Sequence, residues 1–347
     1  MKVILLILRK LFYKKTRFAH LIAFVKYNSF LKLSNLLCNE YERRTRKVNL
    51  SSKPYLVNSE LTNHCTCRCP FCYTGKKGSR PGGFAMVGLY EKLFWQIGRY
   101  TYLITLHGWG EPLMHRRLPE IIRLAHENRI FTVVTTNGNL LTRELSKEII
   151  TNRLDYLVVS VDGTSEESYQ KYRIGGNFEV VMHNLRELIS LKKEMGSSTP
   201  FIEWQFIVFK HNEHEMDAAT RLSKEIGVDN IVFMPAYTED AGFDASDNKY
   251  HWPQPSSLSK RIDCKHLWTT LTFHWNGNVV PCCNDYDGKI SYGDLLRQDL
   301  DQIWNNRLFR ESREIVNRGT NDATEELPCI SCARKLKHAG KNKYSED

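Results

Sequence analysis

One loop constrains this chain more than any other stretch: Cys65-Thr66-Cys67-Arg68-Cys69-Pro70-Phe71-Cys72-Tyr73, directly after a candidate strand at 55–60. Cys65, Cys69 and Cys72 stand in C-x3-C-x2-C spacing. Three thiolates on one short loop can hold three irons of a [4Fe–4S] cluster and leave the fourth iron open to a chelating molecule. The alternative is a structural zinc site that joins Cys69 and Cys72 to the C-x2-C pair Cys329 and Cys332. Cys67 falls outside the three-cysteine spacing and reads as a bystander.

The cysteines, ten in all, do not read as a disulfide framework, which belongs to small secreted domains. The apolar run at 3–8 is short and lacks a small-residue cleavage site, so no secretory signal is read. No stretch approaches the roughly 18 apolar residues of a membrane span. The expected location is cytoplasmic, where closely spaced cysteines point to metal. The net charge of +10 is also local: residues 1–50 hold twelve Lys and Arg against two Glu, and the remainder is balanced. Such a body gives no case for nucleic-acid binding. Residues 1–53 read as a basic helical extension. It is either a helix packed on the body or an amphipathic segment on the inner face of an anionic membrane.

From residue 54 the pattern alternates. Strands are expected at 55–60, 102–106, 131–135, 156–160, 202–208 and 230–233, with helices near 89–99, 118–128, 143–151, 178–193 and 216–226. Several strands are continuous apolar or β-branched runs, as a parallel sheet covered by helices requires. Six strand–helix units fit an α/β fold, a partial (β/α)6 TIM barrel over 54–255, with its active site at the C-terminal strand ends. A doubly wound sheet is the alternative, but no Gly-rich fingerprint follows the first strand. A Pro-, Asp- and Ser-rich stretch at 240–259 then sets off a cysteine-rich region, 256–347.

On these residues the chain resembles the radical S-adenosylmethionine (SAM) superfamily, in which the three-cysteine loop follows the first barrel strand and an aromatic such as Phe71 precedes the third cysteine. The resemblance implies that the open iron chelates SAM, and that an electron cleaves it to methionine and a 5′-deoxyadenosyl radical. That radical abstracts a hydrogen atom from substrate. It implies an external electron donor such as flavodoxin or ferredoxin. Gly108-Trp109-Gly110-Glu111-Pro112 resembles the motif whose backbone and Glu hold the SAM amino group, with Trp109 where a glycine is commonest. Thr136 and Asn137 after strand three, and Ser160 and Asp162 after strand four, are implied contacts of the ribose and methionine parts. Ser160 is preferred to Asp162, which could simply cap a turn. Arg173 is implied as a carboxylate partner and Tyr73 as a further cofactor contact. Asn212 and Glu215 after strand five are weaker candidates.

The C-terminal cysteines give C-x12-G-x4-C from Cys264 through Gly277 to Cys282, and later Cys329-x2-Cys332. This resembles the SPASM/Twitch domain in its shorter Twitch form. The resemblance implies one auxiliary [4Fe–4S] cluster on Cys264, Cys282, Cys329 and Cys332, with zinc the alternative in the same positions. Cys283 is surplus. It is read either as a buried small hydrophobe or as a hydrogen-atom donor. The expected activity is oxidation or epimerisation of an aminosugar, cyclitol or glycan precursor. Maturation of a ribosomal peptide is the second reading; peptide maturases often carry a recognition domain with a three-stranded sheet, and the helical N-terminal stretch does not resemble one.

Overall fold

The computed structural model describes residues 17–74, 80–236, 241–250, 264–318 and 327–330. Two helices, α1 (Arg17–Tyr27) and α2 (Phe30–Arg44), precede the first strand, β1 (Leu56–Ser59). There follow α3 (Val87–Ile97), β2 (Leu103–Leu106), α4 (Leu118–Glu127), β3 (Phe131–Thr136), α5 (Arg143–Thr151) and β4 (Tyr156–Ser160). Next come α6 (Glu166–Gln170), α7 (Phe178–Glu194), β5 (Phe201–Val208), α8 (Met216–Ile226) and β6 (Asn230–Pro235). The C-terminal region supplies α9 (His266–Thr269), β7 (Thr270–Phe273), β8 (Asn278–Val280), β9 (Gly293–Asp294), α10 (Leu300–Trp304) and α11 (Arg307–Arg318).

The strands form one sheet in the order β6-β5-β4-β3-β2-β1-β7-β8-β9. The first six are parallel, each paired with its predecessor, which is the open (β/α)6 barrel expected. The sequence did not disclose β7, which pairs parallel with β1 in the register Leu56↔Thr270 to Ser59↔Phe273. The C-terminal region therefore continues the barrel sheet. The outer strand faces are buried beneath the helices. Ile104, Leu106, Leu157 and Val159 belong to one core with Leu118, Ile121, Leu185 and Leu188 of α4 and α7. Alternation along β5 shows the division: Ile202, Trp204, Phe206 and Val208 are buried outward, and the residues between them face the lumen.

Residues 17–44 pack on the body. Ala19, Ala23 and Tyr27 of α1 join Tyr102, Phe131 and Tyr156 in an apolar cluster at the N-terminal ends of the strands. Polar contacts fix the helix there: Lys26 Nζ lies 2.6 Å from Asp155 Oδ1, and the Tyr27 hydroxyl donates to the same oxygen at 3.2 Å. Helix α1 thus forms the barrel floor. Residues 1–16, the rest of the basic N-terminal extension, lie outside the described residues. Among the described residues no helix is long and apolar enough to cross a membrane.

A buried arginine holds the C-terminal region to the N-terminal one. Arg313 on α11 donates to the carbonyls of Leu267, Val48 and Trp304 at 2.9 Å each, and to Asn305 Oδ1 at 3.1 Å. Its guanidinium lies over the Trp304 ring at 5.0 Å. Burial pulls its pKa down to about 9, only partly opposed by the Glu42 carboxylate.

Candidate active site

The loop after β1 brings its thiols together. Cys65, Cys67, Cys69 and Cys72 share an apolar pocket with Phe71, Tyr172 and Phe209. Amide and guanidinium donors surround the sulfurs: Cys67 N at 3.4 Å and Asn137 Nδ2 at 3.8 Å from Cys65 Sγ, and Arg173 Nη1 at 3.9 Å from Cys69 Sγ. A hydrogen bond from the Cys67 thiol holds Cys65 below its ordinary range, whereas burial pushes Cys69 up to about 11. Among the described residues no three ligand-type side chains converge on a single-ion site. A cubane instead needs thiolates spread around it, and soft sulfurs in a dry pocket with N–H donors fit one.

The second strand's loop is shaped by close approach. A Cβ on Gly108 would lie 2.7 Å from Glu60 Cβ, and one on Gly110 only 2.2 Å from the Thr62 carbonyl oxygen. Glu111 then donates its N–H to the His64 carbonyl at 2.8 Å, so the motif is laid against the segment leading into the cysteine loop. Pro112 opens a short 3-10 turn, Pro112–Met114, capped by Glu111. The Glu111 carboxylate is buried. It accepts from Leu113 N at 3.0 Å, Thr136 Oγ1 at 2.6 Å and Asn137 N at 2.8 Å. Burial pushes it up to about 7, against the pull of these three donors. In the structure Glu111 and Thr136 tie the ends of β2 and β3 together. Asn137 reaches the cysteine loop through Thr66 Oγ1 at 2.9 Å.

Ser160 is buried at the end of β4. Asp162 does more than cap a turn. Its Oδ2 accepts from Arg173 Nε at 2.6 Å and its Oδ1 from the Ile207 amide at 2.6 Å. Burial pushes Arg173 toward neutrality, but the Asp162 carboxylate and Cys69 outweigh it and hold the guanidinium charged. Asn212 braces this corner by donating to the Asp162 and Ile207 carbonyls at 3.0 Å each. Glu215 accepts from Thr164 N at 2.7 Å and Ser168 Oγ at 2.9 Å. Both therefore act as scaffold for the β4 loop.

In the C-terminal region, Cys282 lies within electrostatic reach of Cys329 and Cys264; burial first, then the adjacent Cys283, and more weakly these two push its thiol up. The cross-region zinc pairing of the first loop with Cys329 is therefore not what the fold brings together. Cys332 lies outside the described residues. Cys283 turns the other way and lines the central cavity.

That cavity, about 490 Å³, occupies the barrel lumen. Ala19 lies at its floor, while Gly108 and Trp109 on one side and Cys283 and Asn284 on the other border its upper part. Sequence reading named Tyr73 and Trp109 but missed Tyr286, Arg80 and Glu60, which join these rims with them. Tyr73 stacks on Tyr286 at 5.0 Å and 14°, and Trp109 meets both edge-on at 4.9 and 5.6 Å. Arg80 lies over Tyr286 at 4.4 Å and grips Glu60 bidentately at 3.0 and 2.7 Å. The one available signal was Glu60 itself, a carboxylate at the C-terminal end of a barrel strand, where functional residues gather.

Comparison with known proteins agrees with this geometry. Residues 59–203 match the Radical SAM superfamily, and residues 264–333 match an iron–sulfur cluster-binding domain of the SPASM type. The chain is 23% identical over 296 residues to a Pyrococcus furiosus tungsten-containing aldehyde ferredoxin oxidoreductase cofactor-modifying protein, covering 74% of this chain and 82% of that one. It is 21% identical over 324 residues to the PqqA peptide cyclase of Gluconobacter oxydans, covering 84% and 86%. Among solved structures it resembles SuiB of Streptococcus suis bound to S-adenosylmethionine, with a TM-score of 0.62, 13% identity and coverage of 86% and 76%. BtrN in complex with AdoMet and 2-DOIA gives a TM-score of 0.51, 16% identity and coverage of 78% and 89%. At such identities the structural likeness speaks for the fold alone. The cofactors follow from the two family matches: a SAM-binding [4Fe–4S] cluster, S-adenosylmethionine and auxiliary iron–sulfur chemistry in the C-terminal region. The chain belongs to the radical SAM superfamily and carries a SPASM-type iron–sulfur domain after its barrel.

Proposed function

We propose that this enzyme oxidises or epimerises a small hydroxylated molecule of the aminosugar, cyclitol or glycan-precursor class, with oxidation the preferred outcome. The carrying observation is the cavity, bordered by the SAM-side loop at Gly108 and by Cys283 of the auxiliary-cluster region. Its volume suits a small molecule. A substrate held there lies between the radical source and an electron acceptor.

The lumen wall supports this class. The β1 register sets Asn58 beside Thr105 on one side and Thr272 on the other. Thr105 Oγ1 donates to Asn58 Oδ1 at 3.0 Å, and Thr272 Oγ1 is buried without a hydrogen-bond partner. A buried hydroxyl left unpaired costs about 1–3 kcal/mol, which a substrate hydroxyl can offset. Glu203 also lines the lumen. It accepts from Tyr156 OH at 2.7 Å and Asn230 Nδ2 at 2.9 Å, and its carboxylate suits a substrate amine.

In the proposed site, Cys65, Cys69 and Cys72 hold the SAM-binding cluster, and Cys264, Cys282, Cys329 and Cys332 hold the auxiliary one. When bound, the first cluster supplies reductive cleavage of SAM. Gly108, Gly110, Glu111 and Pro112 position SAM, with Thr136, Asn137, Ser160, Asp162, Arg173 and Tyr73 shaping the surrounding wall. Trp109 and the Tyr73–Tyr286 stack exclude water from the upper part of the cavity. Cys283 is placed to return a hydrogen atom if the outcome is epimerisation. A flavodoxin or ferredoxin would deliver electrons in the cytoplasm. Before β1, the described chain forms helices where a three-stranded peptide-recognition sheet would have favoured peptide maturation.

The test is anaerobic turnover of reconstituted enzyme with a panel of cyclitols and aminosugars, reading 5′-deoxyadenosine and product mass in D2O. Oxidation gives a product two hydrogens lighter and unlabelled; epimerisation gives an isomer carrying deuterium. If no member of the panel turns over while a precursor peptide changes mass, the small-molecule reading fails.

A further inference from the structure

Helix α2 is inside out. Amphipathic surface helices turn their apolar stripe to the core and their polar side to water. Here the body-facing positions are Lys32, Asn35, Leu36, Asn39 and Glu42, all buried. Only Leu36 among them is apolar.

Apart from Glu40, which is also buried but grips Arg43 and Arg44 of its own helix, each polar residue on that face is bonded to the body. Lys32, 2% exposed, donates Nζ to the Arg129 carbonyl at 2.5 Å. Asn35 makes a reciprocal pair with the Lys53 backbone at 2.8 and 3.0 Å. Asn39 donates to Ser52 Oγ and the Trp268 carbonyl, and Glu42 accepts from Ser51 N and Ser52 Oγ. This pattern of side-chain to backbone bonds fixes which way the helix faces.

The opposite face carries Phe30, Leu37 and Tyr41 at spacings i, i+7 and i+11, with Leu31 at its flank. Phe30 is 84% exposed, and Leu31, Leu37 and Tyr41 are exposed as well. Val25, near the end of α1, is also exposed. Five of the large exposed apolar residues therefore fall within residues 25–41. A concentrated apolar patch of this kind marks an interaction surface.

We propose that this face of α2 docks the enzyme on an anionic lipid surface, a reading that deepens the proposed location and leaves the chemistry untouched. Charge complementarity selects the occupant. Residues 1–16, which lead into α1, contain Lys2, Arg9, Lys10, Lys14 and Lys15 with no acidic residue, together with eight Val, Ile, Leu or Phe. Lys47 lies over the Tyr41 ring at 5.5 Å, which puts a cation at the far end of the stripe. Apolar side chains entering the interface beside cations that meet anionic headgroups is how peripheral proteins bind membranes.

The experiment is co-sedimentation of the full chain with phosphatidylcholine vesicles, with and without phosphatidylglycerol, and the same for Phe30→Ser/Leu37→Ser/Tyr41→Ser. The wild type should pellet with the anionic vesicles only, and the variant should bind at least about tenfold more weakly, since each side chain loses its apolar burial. The variant's Tm and its SAM cleavage in solution should be unchanged, because these side chains touch neither the core nor the site. Equal pelleting of variant and wild type, or none by either, overturns the proposal. A lowered Tm would show that the chain's own residues cover the stripe. A wild-type dimer lost in the variant would assign the face to a second copy.

Discussion

Arg173 donates to Asp162 at 2.6 Å while its other arm faces Cys69 Sγ at 3.9 Å, so one buried guanidinium joins the β4 loop to the cysteine loop. Asp162 has no other role as demanding as keeping that cation charged and aimed. Asp162→Asn should retain the contact with the Ile207 amide but leave Arg173 buried without a counter-charge. We expect a loss of about 3–5 kcal/mol of stability. Chemical denaturation under anaerobic conditions measures it, and a change within error would show the pair to be dispensable.

Gly110→Ala addresses the SAM-side loop. A Cβ there meets a backbone carbonyl, which cannot rotate away as a side chain could. The loop must shift relative to the cysteines, and misplacement on the order of 1 Å costs roughly a hundredfold in rate. 5′-Deoxyadenosine formation should fall by about that factor with iron content unchanged.

The two cysteine sets should be separable. Reconstituted wild type is expected to hold about eight irons per chain, as two clusters. Cys65→Ala/Cys69→Ala/Cys72→Ala should hold about four and lose SAM cleavage. Cys264→Ala/Cys282→Ala/Cys329→Ala should also hold about four but keep SAM binding. Iron analysis near four in the wild type, with zinc present, would remove the auxiliary cluster from this picture.

His107 lines the cavity, and burial pulls its pKa from the ordinary 6.5 down to about 4. The unfolded chain therefore takes up the proton first as the solution is acidified, so His107 favours the folded state above pH 6.5. That contribution is lost as pH falls from about 6.5 to about 4. His107→Asn should flatten the fall in Tm across this window relative to wild type. Parallel Tm–pH curves for the two proteins would contradict the assignment.

Much of the barrel was readable because its signals are local. Each strand–helix alternation repeats over a few residues, and the three cysteines lie within eight positions. Glu111 and Thr136 could be named as site residues from their motifs, but not the bond between them, which depends on how the ends of β2 and β3 meet. The same holds for Asp162, whose partner Arg173 is eleven residues away on another loop. The Glu60–Arg80–Tyr286 contact joins three distant segments and has no periodicity to betray it. Helix α2 misleads any reading by pattern, since its inward face is chosen by hydrogen bonds to the 51–53 backbone rather than by apolar spacing.

The pairing of β7 with β1 has a consequence for how the molecule comes into being. Strand β1 is made early in synthesis, yet one of its two neighbours is more than two hundred residues downstream. Until Thr270–Phe273 emerges, β1 has one unpaired edge, and the cysteine loop hangs from that edge. A nascent chain in this state offers a bare row of N–H and C=O groups, the kind of edge that recruits other strands. The late strand closes that edge and brings β8, with Cys282 and Cys283 just after it, into the same sheet. The sheet that carries the cysteine loop is thus completed only when this late strand arrives, and a chain cut off before it would leave an edge open to its neighbours.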